Sequence, residues 1–358
     1  MESRFVTIHD VAADAKVSTA TVSRALNEPW RVNTATREKV KASIAKLGYK
    51  PNLRARLLAR GDSGTICFLL CNRPFIHSVH AQILQGAARE ADILGVQMVY
   101  ATCAYSPSVT PQEIQMPRIL VARGLVDGVI VAGTNYPNMV QALDELELPF
   151  AVFGTNFVAD DGADISSAVY VDDLAGGYQA TAHLLSLGHV NIRYVGDVSL
   201  PWYHRRYLGY CKAMAEAGFK CYPAIGLAAD GELEMGYDAI NDLCDNRQEF
   251  TAVFVGGDMG ALGAMRALRN RGIDVPKQVS IVGFNDEELV QIAEPPLTTI
   301  RVPKEEIGAC CVQMLNKRIR DTKSFEQPAV LPVQLVLRES TGLCTYKAPA
   351  LNSTVFNY

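Results

Sequence analysis

The chain has 358 residues, 49% of them hydrophobic, and a formal net charge of −4. That is more apolar chain than one small domain needs, and it predicts two or three globular units. No run of about 18 apolar residues occurs, so no membrane span is expected, and Glu2, Arg4, His9 and Asp10 come too early for a leader peptide.

The nine cysteines are odd in number, scattered, and include no Cys-x-x-Cys pair. Reduced thiols in a cytoplasmic protein fit that usage better than a disulfide framework or a zinc site. Charge is divided unevenly. Residues 1–60 hold twelve Lys/Arg against five Asp/Glu, a net of +7, which leaves −11 on the remainder. A basic head on an acidic body points to a polyanion partner for the head, or else to a solvated basic face.

The head reads as short helices. Thr7 with Asp10 three residues on is a capping-box-like start, with Asp in place of the usual Glu. Ile8, Val11, Ala12 and Ala15 then form one apolar face. After a turn at Ala15-Lys16-Val17, Ser18 is a good N-cap for a second helix. Val22, Ala25 and Leu26 are its inward face; Thr19, Ala20, Ser23 and Arg24 face outward. Small polar residues let a helix sit deep in the major groove, and Arg can donate two hydrogen bonds to guanine. A third helix from about Asn33 to Leu47 buries Val40, Ile44 and Leu47 and ends at Gly48.

The runs VTIHDVAADAKVSTATVSRALN and VNTATREKVKASIAKLGYKPN closely resemble the head of the lactose-repressor/galactose-repressor (LacI/GalR) family. One departure is Lys16, where the family usually has Gly. The resemblance implies that Thr19, Ala20 and Arg24 read bases, while groups near Thr7, Ser18, Thr21, Ser23, Asn27 and Thr34 position the phosphates. It also implies that the segment from Asn52 to Arg60 is a hinge that becomes helical on operator DNA. A leucine there, Leu58 by alignment, wedges into a central minor-groove step with Ala55 beside it. The alternative is that Leu57 and Leu58 pack on the body as linker residues.

Beyond Thr65, apolar runs alternate with helical stretches, which predicts parallel sheets covered on both faces. Strands are expected at Thr65–Cys71, Val96–Ala101, Asp127–Ala132, Pro149–Phe153, Ala168–Val171, Ile192–Gly196, Ala252–Val255, Val279–Phe284 and Gln334–Leu337. Helices are expected, for example, at His80–Leu94, Gly176–Leu187, Arg206–Ala217 and Gly260–Gly272. The resemblance runs on to about Gly342 through VDGVIVAG, HLLSLGH, TAVFVGGDMGALGAMRALRNRG, VPKQVSIVGFND and LVLREST. It implies a fold of an N-terminal all-α helix-turn-helix head with a hinge helix, plus an α/β periplasmic-binding-protein-like core of two doubly wound subdomains. The expected division is a head at 1–50, hinge and linker at 51–63, core at 64–342 and tail at 343–358. Within the core, one subdomain takes about 64–170 and 300–328, the other about 171–299 and 329–342.

Open α/β sheets bind ligands at the carboxyl ends of their strands. That rule nominates Arg73, His77, His80, Asn135, Trp202, His204, Arg206, Asp258 and Asn285 as effector contacts. The family often has Asp where Gly154 and Asn285 stand, Asn at Gly257 and an aromatic near Gly231. With those carboxylates gone and Arg73, His77, His80, His204, Arg205 and Arg206 in the loops, an anionic metabolite fits. A sugar held by relocated contacts is the alternative, and Arg206 reads equally as a structural ion pair at a helix start.

No enzyme signature survives inspection. The run Val255–Gly263 has the wrong glycine spacing for a dinucleotide fingerprint, and no nucleophile elbow, P-loop or His-Glu-x-x-His occurs. His77 and His80 fit a helix-start surface pair better than a metal site. No catalysis and no cofactor are expected. The partners expected are double-stranded operator DNA, a small-molecule effector and a second copy of the chain. The core alone would also suit a solute-binding protein, against which the head and the missing leader argue.

Overall fold

In the computed structural model the described residues are 6–49, 62–73, 76–158, 167–227, 231–321 and 327–345. The chain forms two compact units, Met1–Ser63 and Gly64–Tyr358.

The first unit is built from α1 (Ile8–Ala15), α2 (Thr19–Asn27) and α3 (Thr34–Leu47). Each begins with a side-chain hydrogen bond between its cap residue and its first turn. The Asp10 carboxylate accepts from the Thr7 N–H at 2.8 Å and from its hydroxyl at 2.7 Å. Ser18 Oγ accepts from the Thr21 N–H at 3.1 Å and Asn33 Oδ1 from the Thr36 N–H at 2.8 Å. Caps of this kind contribute about 1 kcal/mol apiece, which matters in a unit whose buried apolar core, among the described residues, is Val11, Ala12, Ala15, Val22, Val40 and Tyr49. Lys46 adds an ion pair to Asp14 at 2.7 Å, joining α3 to α1. The expected inward position of Leu26 is corrected: it is exposed, because α2 turns only Val22 fully into so small a core.

The second unit contains two sheets. The first takes β1 (Thr65–Cys71), β2 (Gln97–Cys103), β3 (Gly128–Gly133), β4 (Phe150–Phe153), β5 (Ala168–Val171) and β10 (Ala329–Leu331) in the order β10-β5-β4-β3-β1-β2, all parallel. The second takes β6 (Ile192–Val195), β7 (Ala252–Val255), β8 (Ser280–Asn285), β9 (Thr298–Arg301) and β11 (Gln334–Val336) in the order β11-β9-β8-β7-β6, with only β11 antiparallel. Their central strands are unbroken apolar runs because helices cover both faces. The covering helices are α4 (Ser78–Leu94), α5 (Arg118–Val121), α6 (Pro137–Glu145), α7 (Asp173–Ser186), α8 (Pro201–Glu216), α9 (Glu232–Asp245), α10 (Asp258–Asn270) and α11 (Lys304–Arg320). No described helix is long and apolar enough to cross a membrane.

Three helix pairs close at glycine. A Cβ on Gly86 of α4 would overlap the Glu305 carbonyl of α11, and one on Gly308 would overlap that of Ile83. Gly177 and Gly209 stand in the same relation between α7 and α8, as do Gly236 and Gly263 between α9 and α10.

The chain passes between sheets after β5, after β9 and after β10. The last two crossings differ from the expectation. Residues 300 and 301 stay in the second sheet, because Thr298–Arg301 pairs with β8, and 329–331 stay in the first, because they pair with β5. β9 follows Pro295-Pro296 and β10 has three residues, so neither carries a periodic signal of its own.

Lys16 occupies the left-handed region, φ 53° and ψ 47°, a conformation that costs a side-chain-bearing residue roughly 1–2 kcal/mol. Lys16→Gly is expected to stabilise the head by about 1 kcal/mol, net of the entropy glycine adds to the unfolded chain, read as a raised midpoint of head unfolding in urea.

Candidate DNA-reading face and effector cleft

On α2, Ala20 and Arg24 lie one turn apart on one face and both are exposed, while Thr19, Thr21 and Ser23 are half-buried. Three of the hydroxyls assigned to phosphate sit at helix starts, while Ser23 lies mid-way along α2. Thr7 precedes α1, Ser18 caps α2 with its Oγ 2.9 Å from Thr21 Oγ1, and Thr34 opens α3; all three are exposed. Free backbone N–H groups at those starts suit an anion. The face can therefore present one forked cation and small groups to base edges, flanked by donors for phosphates. Asn52, Ala55 and Leu58 lie outside the described residues, as does the Asn27 side chain.

In the second unit, loops after the strands form the facing walls of the two lobes. Arg73 follows β1 and its guanidinium lies 5.9 Å from the ring centroid of Trp202, which is buried on the first turn of α8 in the other lobe. His77 caps α4. Its pKa is lowered by burial and then by the Arg73 charge, against a pull from Glu232. The Glu232 carboxylate and the buried Tyr203 hydroxyl both stand against Gly257. Glu287, reached by a hydrogen bond from Ser78, is pushed up to about 7 by burial and by the charges of Asp258 and Glu232. His80 is buried with Nε2 3.4 Å from Asn156 Nδ2, and burial, Arg73 and His77 lower its pKa to about 3. Arg73 Nε and His80 Nδ1 are buried and find no hydrogen-bond partner among the described residues.

Other nominated residues belong to the framework. Asn135 is fully buried; its amide donates to the Ala132 and Gly133 carbonyls at 3.1 Å each, and its Oδ1 accepts from Tyr105 at 3.4 Å. Asp258 is fully buried, accepting from Thr299 Oγ1 at 2.6 Å and the Glu287 N–H at 2.8 Å. Arg206 donates through Nε to Asp173 at 2.8 Å and through Nη1 to the Gly256 carbonyl at 2.5 Å, with its guanidinium 3.7 Å from the Phe284 ring centroid. The structural ion pair is the reading the coordinates bear out for Arg206. His204 is exposed on the surface of α8. Asn285 ends β8 at φ 116° and is half-buried.

A model of the lacI family of bacterial regulatory proteins matches residues 7–52, and one of periplasmic-binding-protein-like domains matches residues 181–341. The regulator DegA of Bacillus subtilis is 34% identical over 343 residues, 94% of this chain and 98% of its own. The repressor CytR of Escherichia coli K12 is 31% identical, over 94% of this chain and 96% of its own. The chain belongs to the LacI family of transcriptional regulators. Among solved structures, the Lac repressor dimer bound to operator and an anti-inducer superposes with a TM-score of 0.75 at 27% identity, over 95% of this chain and 100% of that one. The regulator CelR in complex with cellobiose gives 0.66 at 29% identity, over 94% and 99%.

Within this LacI-family core the charge balance differs from the one the loop cations implied. Arg205 and Arg206 share the Asp173 carboxylate, and the low pKa of His80 keeps it neutral near pH 7. Glu232 and Glu287 add acceptors that went unnoticed. Their signal was available in the acidic run Asp286-Glu287-Glu288 after β8, and in Glu232 standing next to Gly231 where the family places an aromatic.

His80 also links stability to pH. Its folded pKa, about 3, lies below the ordinary 6.5, so the unfolded chain binds more protons between those values. Its contribution is whole above pH 6.5 and is lost as pH falls. Asp258, pushed up to about 6, and Glu287 act in the opposite sense over part of that window, losing stability as pH rises. Comparing wild type with His80→Gln cancels those groups. The difference in urea unfolding free energy is expected to shrink by about 1.4 kcal/mol per unit as pH drops from 6 to 5.

Proposed function

We propose that this regulator is a repressor that binds a near-palindromic operator as a homodimer and changes affinity when a small molecule enters the cleft of its second unit. The carrying observation is a capped, basic three-helix head that exposes Ala20 and Arg24 on α2. One head contacts too few base pairs to be selective, and two heads related by a two-fold axis require a two-fold site. The Lac repressor relative was solved as a dimer on operator, which supports the same assembly. The division into a head at 1–50, a hinge at 51–63 with Leu58 as the central wedge, and an effector core at 64–342 follows from this reading. So does a cytoplasmic site of action, on the nucleoid.

For the effector, the cleft geometry favours a neutral, hydroxyl- or N–H-bearing ring over an anion. The Trp202 ring lies beside Arg73, Arg73 Nε and His80 Nδ1 retain hydrogen-bonding capacity, Glu232 adds an acceptor, and Glu287, raised to about 7, can donate as well as accept. Effector binding shifts operator affinity only by its differential affinity for the two arrangements of the lobes.

Selection from a random duplex pool by the full-length protein at fixed salt tests the proposal. An enriched two-fold motif is expected. Arg24→Ala should cost about 1–3 kcal/mol and relax preference at one base pair per half-site, and Leu58→Ala should weaken the selected site more than random duplex. A motif without two-fold symmetry would refute the dimer.

The effector class is tested by thermal shift against neutral sugars and nucleosides beside their phosphorylated forms. Neutral compounds are expected to raise Tm; a rise with the phosphorylated members alone would restore the anion reading.

A further inference from the structure

The head displays a large apolar side chain that its own core leaves out. Trp30 lies in the 3-10 turn Pro29–Arg31 between α2 and α3 and is 76% exposed, whereas the chain's other tryptophan, Trp202, is buried. The turn that carries it is well defined. Proline sets its first position, the Arg31 N–H donates to the Glu28 carbonyl at 2.9 Å, and the Val32 N–H donates to the Pro29 carbonyl at 3.4 Å. Its surroundings are cationic and polar. Arg24 stands on the last turn of α2, Arg31 follows Trp30 directly, and the nearby acid, Glu28, is paired with Arg31 at 3.2 Å. Two residues after Arg31, Asn33 caps α3 and Thr34 opens it in an exposed position.

A side chain of this size hides some 150–250 Å² when covered, and here it sits on the unit that carries the chain's surplus of positive charge. We propose that Trp30 is a contact to duplex DNA: its ring packs on the deoxyribose of the backbone strand running between the groove that α2 reads and the phosphates at the start of α3. The indole has one donor, Nε1–H, which suits a phosphate oxygen, and no acceptor with which to distinguish bases. The contact therefore adds affinity without reading sequence. Being uncharged, it releases no counterions. The inference rests on the DNA-binding role of the head argued above.

The two tryptophans make the test direct. Labelled duplex, both the selected operator and random sequence, is titrated into full-length protein, following anisotropy of the DNA and acrylamide quenching of tryptophan emission. A quencher-accessible component, absent from Trp30→Phe, is expected in the free protein and should become shielded when DNA binds. Trp30→Ala should lose about 5- to 30-fold in affinity for operator and random duplex alike, with the slope of log K against log salt unchanged. Trp30→Phe should recover most of the loss, whereas loss of a cation that neutralises one phosphate would lower the slope by about 0.9. Binding that leaves Trp30 fully accessible, or Trp30→Ala with wild-type affinity, overturns the inference while leaving DNA recognition intact. Absence of any DNA binding by wild type overturns the reading beneath it.

Discussion

The second unit turns on one carboxylate. Asp173 is fully buried two residues after β5, where the chain first leaves the first sheet for the second. Its Oδ1 takes the Nε of Arg206 and its Oδ2 takes the Nε and Nη2 of Arg205, at 2.8 to 3.1 Å. Arg206 carries the contact on to the end of β7 through Gly256, and Arg205 carries it back to the first sheet by donating to the Thr155 carbonyl at 2.6 Å. Thr155 Oγ1 in turn accepts from the Val171 N–H at 2.9 Å. A lone carboxylate so deep would be untenable, and removing one partner from such a group typically costs about 3–5 kcal/mol. With two guanidiniums around it, it fixes the first crossover relative to both sheets, and the cleft walls are hung from that joint.

The same arrangement separates framework from ligand chemistry. Arg205 and Arg206, which look available in sequence, are paired with Asp173 inside the fold, and among the described residues the polar groups of this region include Arg73 Nε, His80 Nδ1, the Tyr203 hydroxyl and the carboxyl groups of Glu232 and Glu287. A site that sets donors on one lobe against acceptors on the other would select by hydrogen-bond pattern more than by net charge.

The strands were legible because a sheet covered on both faces must be written as short apolar runs, and the expected segments agree with the observed ones to within two residues. The caps at Thr7 and Ser18 were legible because these residues have few other reasons to stand before apolar-periodic helices; Asn33, read as the start of the third helix, proved to be its cap. What was not legible is sheet membership of the short β9 and β10, which depends on pairing rather than composition. The strand-end rule nominated Arg73, His77 and Trp202, which the fold brings near one another. It also drew in Asn135, Asp258 and Arg206, since residue type and position do not say whether a polar group already has partners. Glu232 was missed for the converse reason: it opens α9, and the rule looks only at the loops nearest the strands.

Asn285 shows what the fold gives up to shape that wall. It and Asp286 are consecutive non-glycine residues in the left-handed half of backbone space, at φ 116° and 55°, and residues so placed cost of order 1–3 kcal/mol each. They persist because the turn is over-determined. Lys304 Nζ donates to the carbonyls of Asn285 and Asp286 at 2.5 and 2.9 Å, and the Asp286 carboxylate takes Arg301 and Arg338 at 2.6 Å each. Burial alone would raise the pKa of Asp286; the two arginines overcome it and hold the group ionised. Three cations from β9, the start of α11 and the segment after β11 thus enforce a turn that local preference resists, at a strand end where the family often carries a carboxylate. The strain is held by these buried contacts against the residues' own preference, so the surrounding fold sets where the Asn285 side chain stands.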